Sequence, residues 1–170
     1  MMNAAVIDMT KFGAKNDGSG DNAAALDAAV RELKARNGGE LYFPSGEYRI
    51  TTRRRAALLL DGLSDVTVRF APGAVLLMDN LQKDGKGGGH GVVVRGPAAN
   101  IRLENVHVKW AVKASSRSSG DAFRFEGFPD DAKTISRIYL LNCTGENSPQ
   151  TGAVFMGCSD IFVNNFSPVN

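Results

Sequence analysis

The sequence predicts an all-β solenoid of about four stacked coils with one α-helix at its N-terminal end. Helix-type spacing of apolar residues occurs in one stretch, residues 22–36. From Ala56 onward, short apolar segments alternate with a period of two and are separated by turn residues. These segments recur about every 30 residues, which is typical of proteins in which each repeat forms one coil. The helix is expected to cover one open end of the stack.

Composition indicates one domain, with residues 1–50 forming the cap and first strands and residues 51–170 forming the coils. The 170 residues are 43% hydrophobic and 22% charged, which is ordinary for a globular protein. The net charge of +2 is too small to indicate a nucleic-acid partner. No apolar run approaches the roughly 20 residues of a membrane-spanning helix, and the first ten residues do not resemble a secretory signal peptide. Cys143 and Cys158 are expected to be small buried side chains, with a disulfide as the alternative.

The first 50 residues predict a strand, a helix and two further strands. Ala4–Asp8 is a short apolar run, and Asp21 stands where a helix N-cap is expected. The helix is predicted over Asn22–Arg36 and ends at glycines that follow it. Its apolar positions follow i, i+4, i+7 spacing and are Leu26, Val30 and Leu33. The two strands that follow are Glu40–Phe43 and Glu47–Ile50.

The coils align on four glycines spaced 34, 31 and 30 residues apart, namely Gly62, Gly96, Gly127 and Gly157. One strand is predicted before each glycine and a second after it, with residues 128–137 as an insertion in the third repeat. A third strand is predicted in the first two repeats, at Val75–Met78 and Val106–Val108. Three asparagines share one repeat position and are expected to stack, namely Asn105, Asn142 and Asn165.

Two segments of the cap, FGAKNDGSGDNAAALDAAV and GGELYFPSGEYRI, resemble the N-terminal segment of the pectate-lyase-like superfamily. The resemblance implies a right-handed parallel β-helix with an N-terminal capping α-helix, and a polysaccharide partner of acidic, pectin-like character. It favours a secreted or cell-surface location. The superfamily contains polygalacturonases, lyases, epimerases and non-catalytic tailspikes. The predicted function is therefore cleavage or modification of a polysaccharide, with non-catalytic binding as the alternative.

His90, Asp121 and Thr151 occupy one repeat position, six residues before the aligned glycines, and are expected to be neighbours. The stretch Ser119–Phe123 resembles the aspartate motif of polygalacturonases, which implies a catalytic role for Asp121. An inverting glycosidase needs a second carboxylate about 6.5–9.5 Å away, but Gln150 and Thr151 stand at the position that the family uses. The catalytic set of this chain is therefore incomplete. The alternative is that Asp121 is a structural carboxylate bound by backbone N–H groups.

The predicted substrate-binding residues are cations and an aromatic residue before Asp121, together with two of its neighbours. They are Lys109, Trp110, Lys113, Arg117, His90 and Thr151. Cations would pair with uronate carboxylates and the indole would stack on a sugar; a solvated loop is the alternative. Arg53–Arg55 is expected to be a solvated basic turn, with a polyanion site as the alternative, and Gly85–His90 a flexible loop beside the candidate row. Asp61, Arg95 and Glu126 are expected to form a surface ion-pair ladder.

No cofactor is expected. Calcium is a weaker alternative, because the adjacent acidic pair Asp130-Asp131 lies in an insertion. The last residues follow a predicted strand without a cap, so we expect either a truncated reading frame or an open coil closed by oligomerisation.

Overall fold

The computed structural model describes residues 6–170, which form a parallel β-helix with one α-helix at its start. The strands in chain order are β1 (Val6–Asp8), β2 (Gly39–Phe43), β3 (Gly46–Ile50), β4 (Ala56–Asp61), β5 (Val66–Phe70), β6 (Ala74–Met78), β7 (His90–Arg95), β8 (Ala98–Glu104), β9 (His107–Trp110), β10 (Phe123–Glu126), β11 (Ile135–Leu141), β12 (Thr144–Glu146), β13 (Ala153–Met156), β14 (Cys158–Asn164) and β15 (Ser167–Val169). Two 3₁₀-helices, Met9–Phe12 and Pro129–Asp131, lie in connecting segments.

Each coil gives one strand to each of three parallel sheets. Sheet A has the order β1-β2-β5-β8-β11-β14, sheet B the order β15-β12-β9-β6-β3, and sheet C the order β13-β10-β7-β4. After the cap, the strands from β4 to β15 form four complete coils of three strands each, which confirms the predicted number of coils. The prediction of a third strand in only two repeats was wrong, since β12 and β15 continue sheet B.

The α-helix, α1 (Ala23–Ala35), closes the first coil. Strand β1 lies beneath β2 in sheet A, and Asp17 forms a bridge to Glu47 of β3 in sheet B. Helix α1 packs mainly on β4 and so takes the remaining place, beneath sheet C. Its buried side chains include Leu26 and Leu33, which join the core of the coils. The cap predicted from the sequence is therefore confirmed.

The helix begins one residue later than predicted. Asn22, not Asp21, is the N-cap residue, and its side chain makes no capping bond. Asp21 still accepts a hydrogen bond from the N–H of Ala23 at 3.1 Å, and it also binds the segment after β3. The strand predicted over Ala4–Asp8 is observed as β1, although residues 4 and 5 lie outside the described part of the chain.

The turn between sheets A and B confirms the predicted asparagine row. Asn105, Asn142 and Asn165 have φ of 56°, 51° and 55°, in the left-handed region that asparagine tolerates better than most residues. The Asn165 amide donates to Oδ1 of Asn142 at 2.9 Å, so a side-chain hydrogen bond joins the last two coils at this row. Both cysteines are free thiols; Cys143 is buried, as expected, whereas Cys158 is only partly buried. Within residues 6–170, no helix has the length and apolar character needed to cross a membrane.

Candidate functional site

The outer face of sheet C carries a charged network built from three coils. Arg55 precedes β4, Arg95 ends β7, and Arg124 and Glu126 lie on β10. Because side chains alternate along a strand, these residues point outward while Val94 and Phe125 fill the core. Parallel pairing places Arg95 directly between Asp61 and Glu126, as the repeat alignment predicted.

Glu126 lies at the centre of this network. Its carboxylate accepts a hydrogen bond from Nε of Arg124 at 2.6 Å and another from Arg55, and Nε of Arg95 lies 3.5 Å away. Burial alone would raise the pKa of Glu126, but the hydrogen bonds from Arg124 and Arg55 lower it overall. Since Glu126 is only 3% exposed, the prediction of a surface ladder was wrong for this carboxylate.

Asp121 is fully buried and bound by three side chains. It accepts hydrogen bonds from Nη1 of Arg124 at 2.8 Å and from the hydroxyl of Thr151, and its Oδ2 lies 3.3 Å from Nδ1 of His90. Burial raises its pKa, but hydrogen bonds with His90, Thr151 and Arg124 outweigh burial and bring the pKa to about 2. A general acid must hold a proton near neutral pH and reach the substrate. The geometry therefore fits the structural alternative for Asp121 better than the predicted catalytic role.

The predicted row of His90, Asp121 and Thr151 is confirmed as a set of neighbours. Thr151 serves as a hydrogen-bond donor to Asp121. Nδ1 of His90 lies 3.0 Å from the backbone N of Asp121 and 3.3 Å from its Oδ2. It accepts the backbone N–H when the ring proton is on Nε2, and it donates to the carboxylate when Nδ1 is protonated. The partners of the Asp121 carboxylate are side chains, whereas the structural alternative anticipated backbone N–H groups.

Trp110 is a core residue, so the prediction that it stacks on a sugar was wrong. Its side chain is completely buried at the end of β9, next to Met78 in sheet B. Lys109 lies on the outer face of sheet B, where its Nζ is 3.0 Å from Glu146. His107 contacts the same carboxylate at 2.9 Å. This face is separate from sheet C and Asp121.

Lys113 and Arg117 lie together in another pocket, of about 360 Å³, between the segments 111–122 and 147–152. Asn147, Ser148 and Gln150 also line it. The basic and aromatic stretch before Asp121 is therefore divided among the core, the sheet B face and this pocket. Adjacent residues of a strand face opposite sides, which separates Lys109 from Trp110.

Two pockets lie at opposite ends of the strands of sheet C. We call the first the Arg53 pocket; it has a volume of about 470 Å³, and its charged or titratable lining residues are Arg53, Arg54, Arg55 and His90. The glycine-rich loop forms another wall. A Cβ atom on Gly88 would lie 1.8 Å from the carbonyl oxygen of Asn80, so this part of the loop is closely packed and leaves no room for a side chain.

We call the second the Phe128 pocket, which has a volume of about 330 Å³ and lies at the C-terminal ends of the strands. It is lined by Asp61, Arg95, Gly96, Pro97, Phe128, Asp131 and Lys133. Phe128 is 38% exposed although its ring is large and apolar. The insertion predicted at 128–137 thus supplies an aromatic wall to the outer face of sheet C.

Arg95 lines the Phe128 pocket, whereas the sequence predicted only that it takes part in an ion-pair ladder. Its guanidinium lies 3.6 Å from Asp61, 3.5 Å from Glu126 and 5.7 Å from the centre of the Phe128 ring. Within residues 6–170, the Arg95 side chain forms ion pairs with Asp61 and Glu126 but no hydrogen bond, and its Nε is buried without a hydrogen-bond partner. A guanidinium offers five donors in a planar fork. The donors of Arg95 that a ligand can reach are therefore those of Nη1 and Nη2 and not the buried Nε.

In the part of the chain that the structure describes, no three His, Cys, Asp or Glu side chains converge as metal ligands. The expectation about cofactors stays a prediction.

Comparison with known proteins agrees with this architecture. The profile of the family described as Rhamnogalacturonase A/epimerase, pectate lyase-like, matches residues 6–57. An alpha-1,3-galactosidase A from Peterkaempfera griseoplana is 29% identical over 168 residues, covering 86% of this chain and 23% of the relative. The mannuronan C5-epimerase AlgE3 of Azotobacter vinelandii is 48% identical over 40 residues, which are 24% of this chain and 2% of that protein. The chain thus spans about a quarter or less of the length of these relatives.

A solved structure supports the fold over nearly the whole chain. A proposed glycosyl hydrolase from Parabacteroides merdae superposes with a TM-score of 0.56 at 14% sequence identity, covering 98% of this chain and 94% of that protein. The N-terminal segment of this chain thus resembles the pectate-lyase-like family, and the coils that continue from it form the parallel β-helix that this resemblance implied.

Proposed function

We propose that this chain is a carbohydrate-active β-helix unit that binds an acidic polysaccharide along the outer face of sheet C and takes part in its cleavage or modification. The observation that carries the proposal is Arg95, a partly exposed guanidinium that lies between Asp61 and Glu126 without a hydrogen bond to either and stands beside the exposed ring of Phe128. Carboxylates of uronate sugars match the fork of a guanidinium. The similarity to relatives named as a galactosidase and a mannuronan epimerase supports a polysaccharide ligand.

The Arg53 pocket supports an acidic ligand independently. Its lining contains three arginines and no carboxylate. Arg54 is paired with Asp27, at 2.5 Å from Nη2 to Oδ1, and Arg55 with Glu126, whereas Arg53 has no ion-pair partner within residues 6–170. An anionic group entering this pocket would meet an uncompensated positive charge. The two ends of the sheet C strands therefore differ: the Arg53 pocket is lined by cations without a carboxylate, whereas the Phe128 pocket combines an aromatic wall with two cations and two carboxylates.

Binding is tested with Arg95→Gln, which removes the charge but keeps a polar side chain. The matched control is Arg102→Gln on the outer face of sheet A, where Arg102 lies 3.1 Å from Glu104 and is similarly exposed. We expect Arg95→Gln to weaken binding to polygalacturonate or alginate at least fivefold in isothermal titration calorimetry, and Arg102→Gln to leave it unchanged. Equal effects of the two variants, or no binding by the unmodified chain, would contradict the proposal.

Non-catalytic binding is the second candidate, and one observation favours it. Asp121 and Glu126, the two buried carboxylates of this face, are both paired with Arg124 and both have lowered pKa values. Neither is therefore suited to donate a proton near neutral pH.

Three product assays separate these candidates. Reducing ends report hydrolysis, ultraviolet absorbance of unsaturated uronate reports elimination, and NMR of the polymer reports epimerisation. Product in any assay supports an enzyme, and binding without product supports the second candidate. Asp121→Asn is informative about catalysis only when a parallel melting curve shows that the variant is folded, because Asp121 is buried.

A further inference from the structure

We infer that helix α1 is also part of the ligand-binding surface, and that it forms a distal subsite for a sugar unit of the polysaccharide bound along sheet C. This inference rests on the proposed function. A third pocket on this side of the molecule, which we call the α1 pocket, carries the argument. It has a volume of about 280 Å³ and lies between α1 and β4.

The wall that α1 contributes is one continuous stripe of the helix. Asp27, Val30, Arg31 and Lys34 all line the α1 pocket. Their spacing of i, i+3, i+4 and i+7 places them on one face of an α-helix. The core-facing stripe, which contains Leu26, Ala29 and Leu33, is a different one. The helix therefore packs into the core with one stripe and borders the pocket with the neighbouring stripe.

The α1 pocket adjoins both pockets of sheet C, because it shares one lining residue with each of them. Asp61 lines both the α1 pocket and the Phe128 pocket, and Arg54 lines both the α1 pocket and the Arg53 pocket. Adjacent strands are about 4.8 Å apart, so the four strands of sheet C span roughly 15 Å. Helix α1 extends this surface by about its own diameter of 10 Å. A chain bound along the stack would therefore reach α1.

The chemistry of the α1 pocket suits a sugar ring that carries an acidic group. Val30 and Leu59 are partly exposed apolar side chains, and Leu63 completes an apolar floor. Arg31 and Lys34 are exposed and form no ion pair within residues 6–170, whereas Arg54 and Asp27 are joined to each other. The apolar floor can contact the C–H face of a sugar, and the two unpaired cations can bind its carboxylate.

The test is the dependence of affinity on the length of the ligand. The variant Arg31→Ala/Lys34→Ala removes the two cations of the stripe. The control Lys11→Ala/Arg36→Ala removes the same charge from the cap, outside the α1 pocket. Both variants change exposed side chains, so both are expected to fold. Calorimetry is carried out on the full chain with short and long oligomers of galacturonate and of mannuronate.

We expect Arg31→Ala/Lys34→Ala to weaken binding of long oligomers at least threefold and to leave binding of short oligomers unchanged, because short ligands need not reach α1. The control should match the unmodified chain at every length. If the unmodified chain binds but the two variants behave alike, or if the loss is the same for short and long oligomers, the α1 subsite is wrong while the proposed function stands. If the unmodified chain binds no oligomer, the proposed function fails and the subsite fails with it.

Discussion

At the scale of single residues, Asp121 matches a catalytic motif in sequence but is buried in the structure. The sequence placed this carboxylate beside His90 and Thr151, and the structure confirms that placement. What the repeat alignment could not supply was Arg124, which comes three residues later and turns back to bind Asp121 and Glu126. A motif comparison matches residue types, but the access of solvent to a side chain depends on three coils packed together.

Asp121 is expected to make the protein more stable above pH 4 than below pH 3. The pKa of its carboxyl falls from an ordinary value of 3.8 to about 2 on folding, so its ionised form favours the folded state. The contribution of ionised Asp121 to the free energy of unfolding is fully present above the pKa of the unfolded state and is lost as the pH falls from about 4 to about 2. A shift of this size corresponds to about 2 kcal/mol in the free energy of unfolding.

The measurement is urea unfolding of the unmodified chain and of Asp121→Asn at several pH values from 6 to 2.5. We expect the variant to be less stable at pH 6, with the difference shrinking as the pH falls. Asp130→Asn, which changes an exposed carboxylate in the insertion, serves as the control and should follow the unmodified chain. A constant difference between Asp121→Asn and the unmodified chain at all pH values would show that the charge of Asp121 is not what stabilises the fold.

At the scale of elements, positions with left-handed backbone could be predicted only where the same residue type recurs in successive coils. The asparagine row was visible because asparagine tolerates left-handed backbone. A second row was missed: Asn100, Arg137 and Asp160 have φ of 56°, 53° and 53° at equivalent positions of β8, β11 and β14. Its three residue types differ, so the sequence carries no common signal.

Arg137 is the member of this second row that is least suited to its backbone. We expect Arg137→Asn to raise the free energy of unfolding by about 0.5–1 kcal/mol, because asparagine adopts left-handed φ at a lower cost than arginine. Thermal melting measures the change. Arg102→Asn, at a neighbouring position of β8 without positive φ, is the control and should give no gain. A lower melting temperature for Arg137→Asn would mean that the arginine side chain contributes contacts worth more than the backbone strain.

The missed strands of sheet B have a different cause. Strands β12 and β15 contain only three residues each, and their sequences, Thr-Gly-Glu and Ser-Pro-Val, carry little β propensity. They are extended because each pairs with the strand of an adjacent coil. Pairing between coils is a long-range effect, so a local sequence pattern could not reveal it. The helix, by contrast, was predicted to within one residue at each end because its apolar spacing is local.

At the scale of the whole molecule, the sequence indicated the stack but not how its three faces differ. The alignment on glycines predicted which residues of successive coils become neighbours, such as Asp61, Arg95 and Glu126. Whether pockets form beside an outer face depends on the loops that border that face. The insertion bearing Phe128 and the packed loop around Gly88 flank sheet C, and α1 extends it. Lys109, which was predicted to bind substrate because it precedes Asp121 in the sequence, lies on the outer face of sheet B beside Glu146, and its role in binding stays a prediction.

The whole molecule carries a net charge of only +2, which makes the salt dependence of binding a measure of the local charge on sheet C. Salt screens exposed charges over about 10 Å at ordinary ionic strength. We therefore expect the affinity for an acidic polymer to fall as sodium chloride is raised, and the affinity for its carboxyl-reduced, neutral form to change little.

The slope of this dependence should be reduced in Arg53→Gln, because Arg53 is the cation of the Arg53 pocket that has no ion-pair partner in the described residues. Lys83→Gln, which removes one exposed charge away from the lining of that pocket, is the matched control and should keep the slope of the unmodified chain. Equal slopes for all three proteins would mean that attraction arises from the overall charge and not from this pocket. A reduced slope in Arg53→Gln alone would place an anionic group of the ligand beside Arg53, at the opposite end of the strands from Arg95.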